Sequence, residues 1–137
     1  MNTSESSLSV TTQRRTAPRR PPEIDKYVDT FLSTICDTSR RYILELLTIP
    51  DEDDAPDMPE RRSGDIAKAI GLSAATTSEH LRLLAKTGIV AARRDGNVVY
   101  YYLRNREIVK AFQDLLGALD SDYAHHLSVS NHPQKKK

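Results

Sequence analysis

Tryptophan is absent from this 137-residue chain and phenylalanine occurs only twice, so with 38% hydrophobic residues it is expected to fold around a modest core. A single cysteine, Cys36, cannot close an internal disulfide, and a structural zinc site draws on several ligands. It is read here as a small core residue, because Asp37 is a poor neighbour for a reactive thiolate. No apolar run approaches the roughly 20 residues needed to span a bilayer. The polar segment from Met1 to Arg20 also lacks the apolar centre of a secretory signal. A cytoplasmic protein with no membrane partner is the expectation. Paired carboxylates in a cleft pattern, a glycine-rich phosphate loop and an activated nucleophile are all missing, so neither an enzyme nor a cofactor is expected.

A strong net charge is missing too, at +1, but its distribution is uneven. Residues 51–60 hold six of the 19 acidic side chains: Asp51, Glu52, Asp53, Asp54, Asp57 and Glu60. Elsewhere basic residues outnumber acidic ones, so a local acidic segment hides a basic background and a nucleic-acid partner stays open. With Pro50, Pro56 and Pro59 the segment reads as a solvated loop. It lacks the glycine turn and distal glutamate of a calcium loop. Residues 1–21, rich in Ser and Thr and then in Arg and Pro, read as a disordered arm. Arg14, Arg15, Arg19 and Arg20 could follow a DNA groove, although a solubilising tail is the simpler reading.

From Pro22 the spacing becomes helical. Ile24, Tyr27, Val28, Phe31, Leu32 and Ile35 mark a first amphipathic helix. Asp37 reads as the N-cap of a second, with Tyr42, Ile43, Leu46 and Leu47 as its apolar stripe and Pro50 as its stop. A short third helix spans Gly64 to Ile70, with Ile66 and Ile70 on one face. Gly71 ends it in a left-handed conformation, Leu72 tucks into the turn, and Ser73 caps a fourth helix that reaches about Thr87. After Gly88 the period drops to two, and Asp95-Gly96 signals a hairpin whose second strand carries Val99, Tyr101 and Leu103 on one face. A last helix from about Asn105 bears Ile108, Ala111, Phe112, Leu115, Leu116 and Leu119. The domain is taken as residues 22–122, followed by a tail over 123–137.

The fourth helix opens with short polar side chains and turns apolar only at Leu81 and Leu84. That leaves its front free and its back anchored, which suits a helix inserted end-on into a major groove. Ser73, Ala74, Ala75, Thr76, Ser78, Glu79 and His80 are the candidate DNA-binding residues there, because hydroxyls bond bases or phosphates and alanine packs on thymine methyls. Glu79 would repel phosphate, so it must either meet a cytosine amino group or turn aside. Arg82 flanks the helix, and Arg93, Arg94 and Asn97 lie near the hairpin tip, where they could reach backbone or minor groove. The expected fold is mainly α with a small antiparallel β-hairpin, a winged helix-turn-helix.

Three stretches in this order resemble the ArsR/SmtB family of winged-helix repressors, over roughly residues 24–119. They are Cys36-Asp37-Thr38-Ser39-Arg40-Arg41-Tyr42-Ile43-Leu44; Ile66-Ala67 through Gly71-Leu72-Ser73 to Ser78-Glu79-His80-Leu81, Leu84 and Gly88-Ile89-Val90; and Gly96 with Val99-Tyr100-Tyr101 and Leu103. The resemblance implies a homodimer paired through its first and last helices, with Tyr27, Phe31, Ile35, Phe112, Leu115 and Leu119 at the interface. Those stripes also exceed the needs of so small a core, and a symmetric second copy is the simplest cover. Double-stranded DNA carrying an inverted-repeat operator is the implied partner. His80 matches a histidine common in the family, with a phosphate contact and a bond inside the fold equally open. Thr77 stands where the family usually has valine, and its hydroxyl is expected to bond back to the carbonyl four residues earlier.

The family resemblance suggests metal or redox control, but the residues do not follow its usual sites. The thiolate site needs cysteines on the third helix, and Gly64 to Ile70 has none. The last helix starts Asn105-Arg106-Glu107, without the histidine of a zinc site. Near its end Asp122, His125 and His126, with Asp120, are low-ranking metal candidates; surface residues compatible with the helix dipole are the simpler reading. A DNA-binding repressor without the usual thiolate site is therefore the main reading. A zinc-type sensor using the C-terminal helix and a winged-helix protein-interaction module are the alternatives.

Overall fold

The computed structural model describes residues 17, 19–50 and 59–134, with side chains through Ser130. Most of the basic arm, the acidic residues 51–58 and the final lysines lie outside the described residues. The chain divides into two units, residues 1–31 and 32–137. Helix α1, Pro22–Ile35, crosses that boundary. Glu23 and Asp25 in its first turn complement the helix dipole, and none of its residues is buried. Tyr27 is 63% exposed, while Phe31 and Ile35 are half-buried.

The second unit begins in earnest at Asp37, whose Oδ1 accepts the Arg40 backbone amide at 3.0 Å and caps α2, Thr38–Leu46. Caps of this kind are worth about 1 kcal/mol. The buried arc of α2 is Ile43, Leu44 and Leu47. Tyr42, placed on that stripe by its spacing, is exposed instead, because α3 and α4 both pack on α2 and draw the arc round to Leu44. The helix also ends before Pro50 acts on it. The Thr48 hydroxyl donates to the Glu45 carbonyl at 2.6 Å, and Arg61 Nη2 donates to the Ile49 carbonyl at 2.9 Å, satisfying orphan acceptors of the last turn.

Arg61–Arg62 form a short strand, β1, followed at once by α3, Ser63–Ile70. Gly71, at φ +73°, ends α3, and the Gly71 and Leu72 amides both donate to the Ala67 carbonyl. Ser73 then caps α4, Ala74–Lys86, its Oγ accepting the Thr76 amide at 3.1 Å. Strands β2, Val90–Asp95, and β3, Val98–Leu103, make the expected hairpin. Asp95 pairs with Val98, so Gly96-Asn97 is a two-residue loop; Gly96 alone has positive φ, +62°, the pattern of a type II′ turn. β1 adds to the far side of β3, pairing Arg61 with Tyr101 and Arg62 with Tyr100. The sheet thus has three strands in the order β1-β3-β2, not the two of a bare hairpin. Val99, Tyr101 and Leu103 share one face of β3, which is half-buried along its whole length.

Helix α5, Arg106–Gln134, is capped by Asn105, whose Oδ1 accepts the Ile108 amide at 3.1 Å. It runs past residue 122, where the sequence suggested a tail. Leu115, Leu119, Tyr123 and Leu127 keep a spacing of four, so the helical pattern does not stop there. Phe112 joins the core and is not left for a partner, whereas Leu115 and Leu119 are about half exposed. No helix among the described residues is long and apolar enough to cross a membrane.

The core gathers Ile43, Leu44, Leu47, Ile66, Ala67, Leu81, Leu84, Ile89, Val90 and Phe112. Burial of each large member contributes roughly 1.5–3 kcal/mol. Thr77 lies among them, fully buried, and its Oγ1 has no hydrogen-bond partner. The expected bond back to the Ser73 carbonyl is not made; that carbonyl accepts the Thr77 amide at 3.0 Å. An unmet buried hydroxyl costs about 1–3 kcal/mol, and valine fills the same space without one. Thr77→Val is expected to stabilise the protein by about 1–2 kcal/mol, read as a higher urea midpoint at unchanged slope.

Candidate nucleic-acid interface

α3, the turn at Gly71 and α4 form a helix-turn-helix whose second helix shows two different ends. Thr77, Leu81 and Leu84 face inward, at positions i, i+4 and i+7. Ala74, Ala75, Thr76, Ser78 and Glu79 remain exposed at the front. The Ser73 hydroxyl donates to Thr76 Oγ1 at 2.9 Å, so these two candidates are joined to each other at the helix tip. Only small groups therefore project there, and duplex could approach the backbone closely.

Glu79 turns aside. Arg82 grips its carboxylate with two bonds, Nε to Oε1 at 3.1 Å and Nη2 to Oε2 at 2.5 Å. That hydrogen bonding holds the Glu79 carboxyl below the usual range and raises the Arg82 guanidinium. The pair is exposed, so it orients the arginine more than it stabilises the fold. His80 is half-buried, and its Nδ1 accepts a bond from Arg40 Nε at 3.3 Å. This internal bond is one of the two roles that the sequence leaves open to it.

On the hairpin, Arg93, Arg94 and Asn97 are all exposed. Successive strand residues point to opposite faces, so Arg93 and Arg94 project from different sides of the hairpin. Arg93 is already engaged. Its Nε and Nη2 donate to Glu60 Oε2 and Oε1 at 2.8 and 2.9 Å, and its guanidinium lies 4.7 Å from the centre of the Tyr100 ring. The Glu60 hydrogen bond raises the Arg93 pKa. Glu60 sits 33 residues away in sequence, and no local pattern signals the pairing. It becomes visible only because β1 docks on β3, which brings the end of the acidic segment to the wing.

The metal candidates are not assembled. Asp122 and His126 face each other at 3.6 Å on exposed α5, but among the described residues no group of three His, Cys, Asp or Glu side chains comes together, so neither His125 nor Asp120 completes a set. Cys36, expected in the core, is exposed in the link between α1 and α2. It directly precedes the α2 cap, outside the packed stripe of either helix.

Comparison with known proteins places these features among regulators. A family model described as "Bacterial regulatory protein, arsR family" matches residues 57–92, from the end of the acidic segment to the start of the wing. The cadmium resistance transcriptional regulatory protein CadC of Listeria innocua is 45% identical over 49 residues, 36% of this chain and 41% of that protein. The chain thus spans about two fifths of that relative's length. The nodulation protein NolR of Rhizobium meliloti is 32% identical over 93 residues, covering 68% of this chain and 66% of its own. Among solved structures, the homodimeric winged helix-turn-helix DNA-binding domain Mb0332 of Mycobacterium bovis superposes with a TM-score of 0.67 at 26% identity, over 82% of this chain and 95% of that one.

Proposed function

The chain belongs to the ArsR family of bacterial regulatory proteins, and from that premise we propose that it is a homodimeric transcriptional repressor that reads an inverted-repeat operator. The observation that carries the reading is the division of α4, with Leu81 and Leu84 buried behind and Ala74, Ala75, Thr76 and Ser78 exposed in front. Such a helix is held rigidly at its rear while its tip stays free for base edges. Ser73, Thr76 and Ser78 supply hydroxyls, Ala74 and Ala75 supply methyls, and Arg82 lies one turn behind them. Arg93, Arg94 and Asn97 would extend contact along the phosphate backbone, as expected of a wing. The family's thiolate metal site has no counterpart on α3, which contains no cysteine.

Dimerisation is supported by the apolar stripes left uncovered. Tyr27 and Leu32 on α1, and Leu115, Leu119, Tyr123 and Leu127 on α5, are each about half exposed or more. Large apolar side chains left exposed in this number on each helix support an interaction surface. The homodimeric M. bovis domain provides the precedent for a second copy as the cover.

In footprinting with the purified full chain, a palindrome with half-sites about 10 bp apart is expected to be protected, with affinity falling steeply as salt rises. Failure to protect any genomic fragment would end the DNA-reading assignment. Leu119→Asp is expected to shift the particle from dimer to monomer in light scattering and to abolish operator binding. Glu60→Gln releases Arg93, and the exposed position of the pair limits the gain to roughly two- to fivefold tighter binding in fluorescence anisotropy. Arg93→Gln is expected to move affinity the other way and to reduce the salt slope by about one.

A further inference from the structure

His80 stands where the exposed front of α4 meets its buried rear, and what it touches comes from 40 residues earlier. Its Nδ1 accepts from Arg40 Nε at 3.3 Å. Arg40 is itself tied down. Its Nη1 donates to the Thr34 carbonyl at 2.8 Å, its backbone amide donates to Asp37 Oδ1 at 3.0 Å, and its Nη2 lies 3.9 Å from Asp37 Oδ2. One guanidinium therefore joins the last turn of α1, the cap of α2 and the flank of the reading helix. Its side chain is only 18% exposed.

We propose that His80 is a positioning residue for α4, holding the helix through a bond that only the neutral imidazole can accept, so that protonation of His80 loosens the helix and weakens DNA binding. The inference rests on the DNA-reading function proposed above. Neutral imidazole accepts at Nδ1 when its proton is on Nε2. Imidazolium has no lone pair for Arg40 and sets a second positive charge against it. Arg40 and Asp37 from α2 and Glu79 from the same helix are the charged groups that bear on the ring. The charged ring cannot keep the Arg40 bond, because both of its nitrogens then carry protons. A phosphate-contacting histidine has the opposite sign, because imidazolium then tightens DNA binding on acidification. The direction of the pH dependence thus separates the two roles.

The test uses the full chain and a duplex selected by it from a random library, with affinity followed by anisotropy from about pH 8 to about pH 5.5, the span over which imidazoles titrate. Wild type is expected to lose roughly tenfold in affinity across this range. His80→Ala is expected to lose a similar factor already at pH 8. His80→Gln, whose side-chain carbonyl accepts from Arg40 at any pH, is expected to rescue binding and flatten the profile. Nitrogen-15 NMR of the DNA-free chain provides an independent reading: neutral His80 should be the Nε2–H tautomer, and Arg40→Ala should remove that preference. Tighter binding at low pH, a flat wild-type profile, no rescue by glutamine, or an Nδ1–H tautomer would each overturn the proposal. Absence of binding to any duplex at pH 8 would instead defeat the DNA-reading function, leaving the tautomer measurement to decide the Arg40–His80 bond by itself.

Discussion

Leu81 and Leu84, buried without residual exposure, are the contacts on which the rest of the architecture turns. They bring α4 against α2, α3 and β2, so one short helix is packed from three directions by its rear half. Rotation of the helix about its axis would expose a leucine, a loss of roughly 1.5–3 kcal/mol each. The polar front is then presented outward by default. Gly71 and Ser73 make the arrangement reachable, the first by turning the chain at φ +73° and the second by capping the new helix. The unmet hydroxyl of Thr77 is a local cost inside that anchor, and the surrounding aliphatic packing outweighs it.

Electrostatics at the exposed front of α4 and on the wing are more restrained than the number of arginines suggests. Glu79 holds Arg82, and Glu60 holds Arg93, each through paired hydrogen bonds. A carboxylate beside a cation lowers its net attraction for any polyanion, yet also fixes the direction in which it points.

The helical elements were legible because each carries a local signal. Asp37 and Ser73 are cap residues in front of apolar periodicity, Gly71 follows the last periodic residue of α3, and Asp95-Gly96 lies between two alternating runs. Where packing overrode periodicity, the reading slipped. Tyr42 left the core because two helices approach α2 from the Leu44 side, and the hairpin gained β1 as a third strand. Two arginines at the end of an acidic segment carry no strand signal of their own. Cys36 looked buried by residue type, but its place in a two-residue link left it exposed.

From the sequence alone came the order of elements apart from β1, the polar-front and apolar-rear division of α4, and the resemblance to winged-helix regulators. All of these depend on neighbours within a few residues, where capping, turn geometry and helical period act. The tertiary structure decided which charged groups are engaged: Arg93 on Glu60 across 33 residues and His80 on Arg40 across 40. A side chain's partner is set by which elements pack together, and that information is spread over the whole core and not written beside either residue.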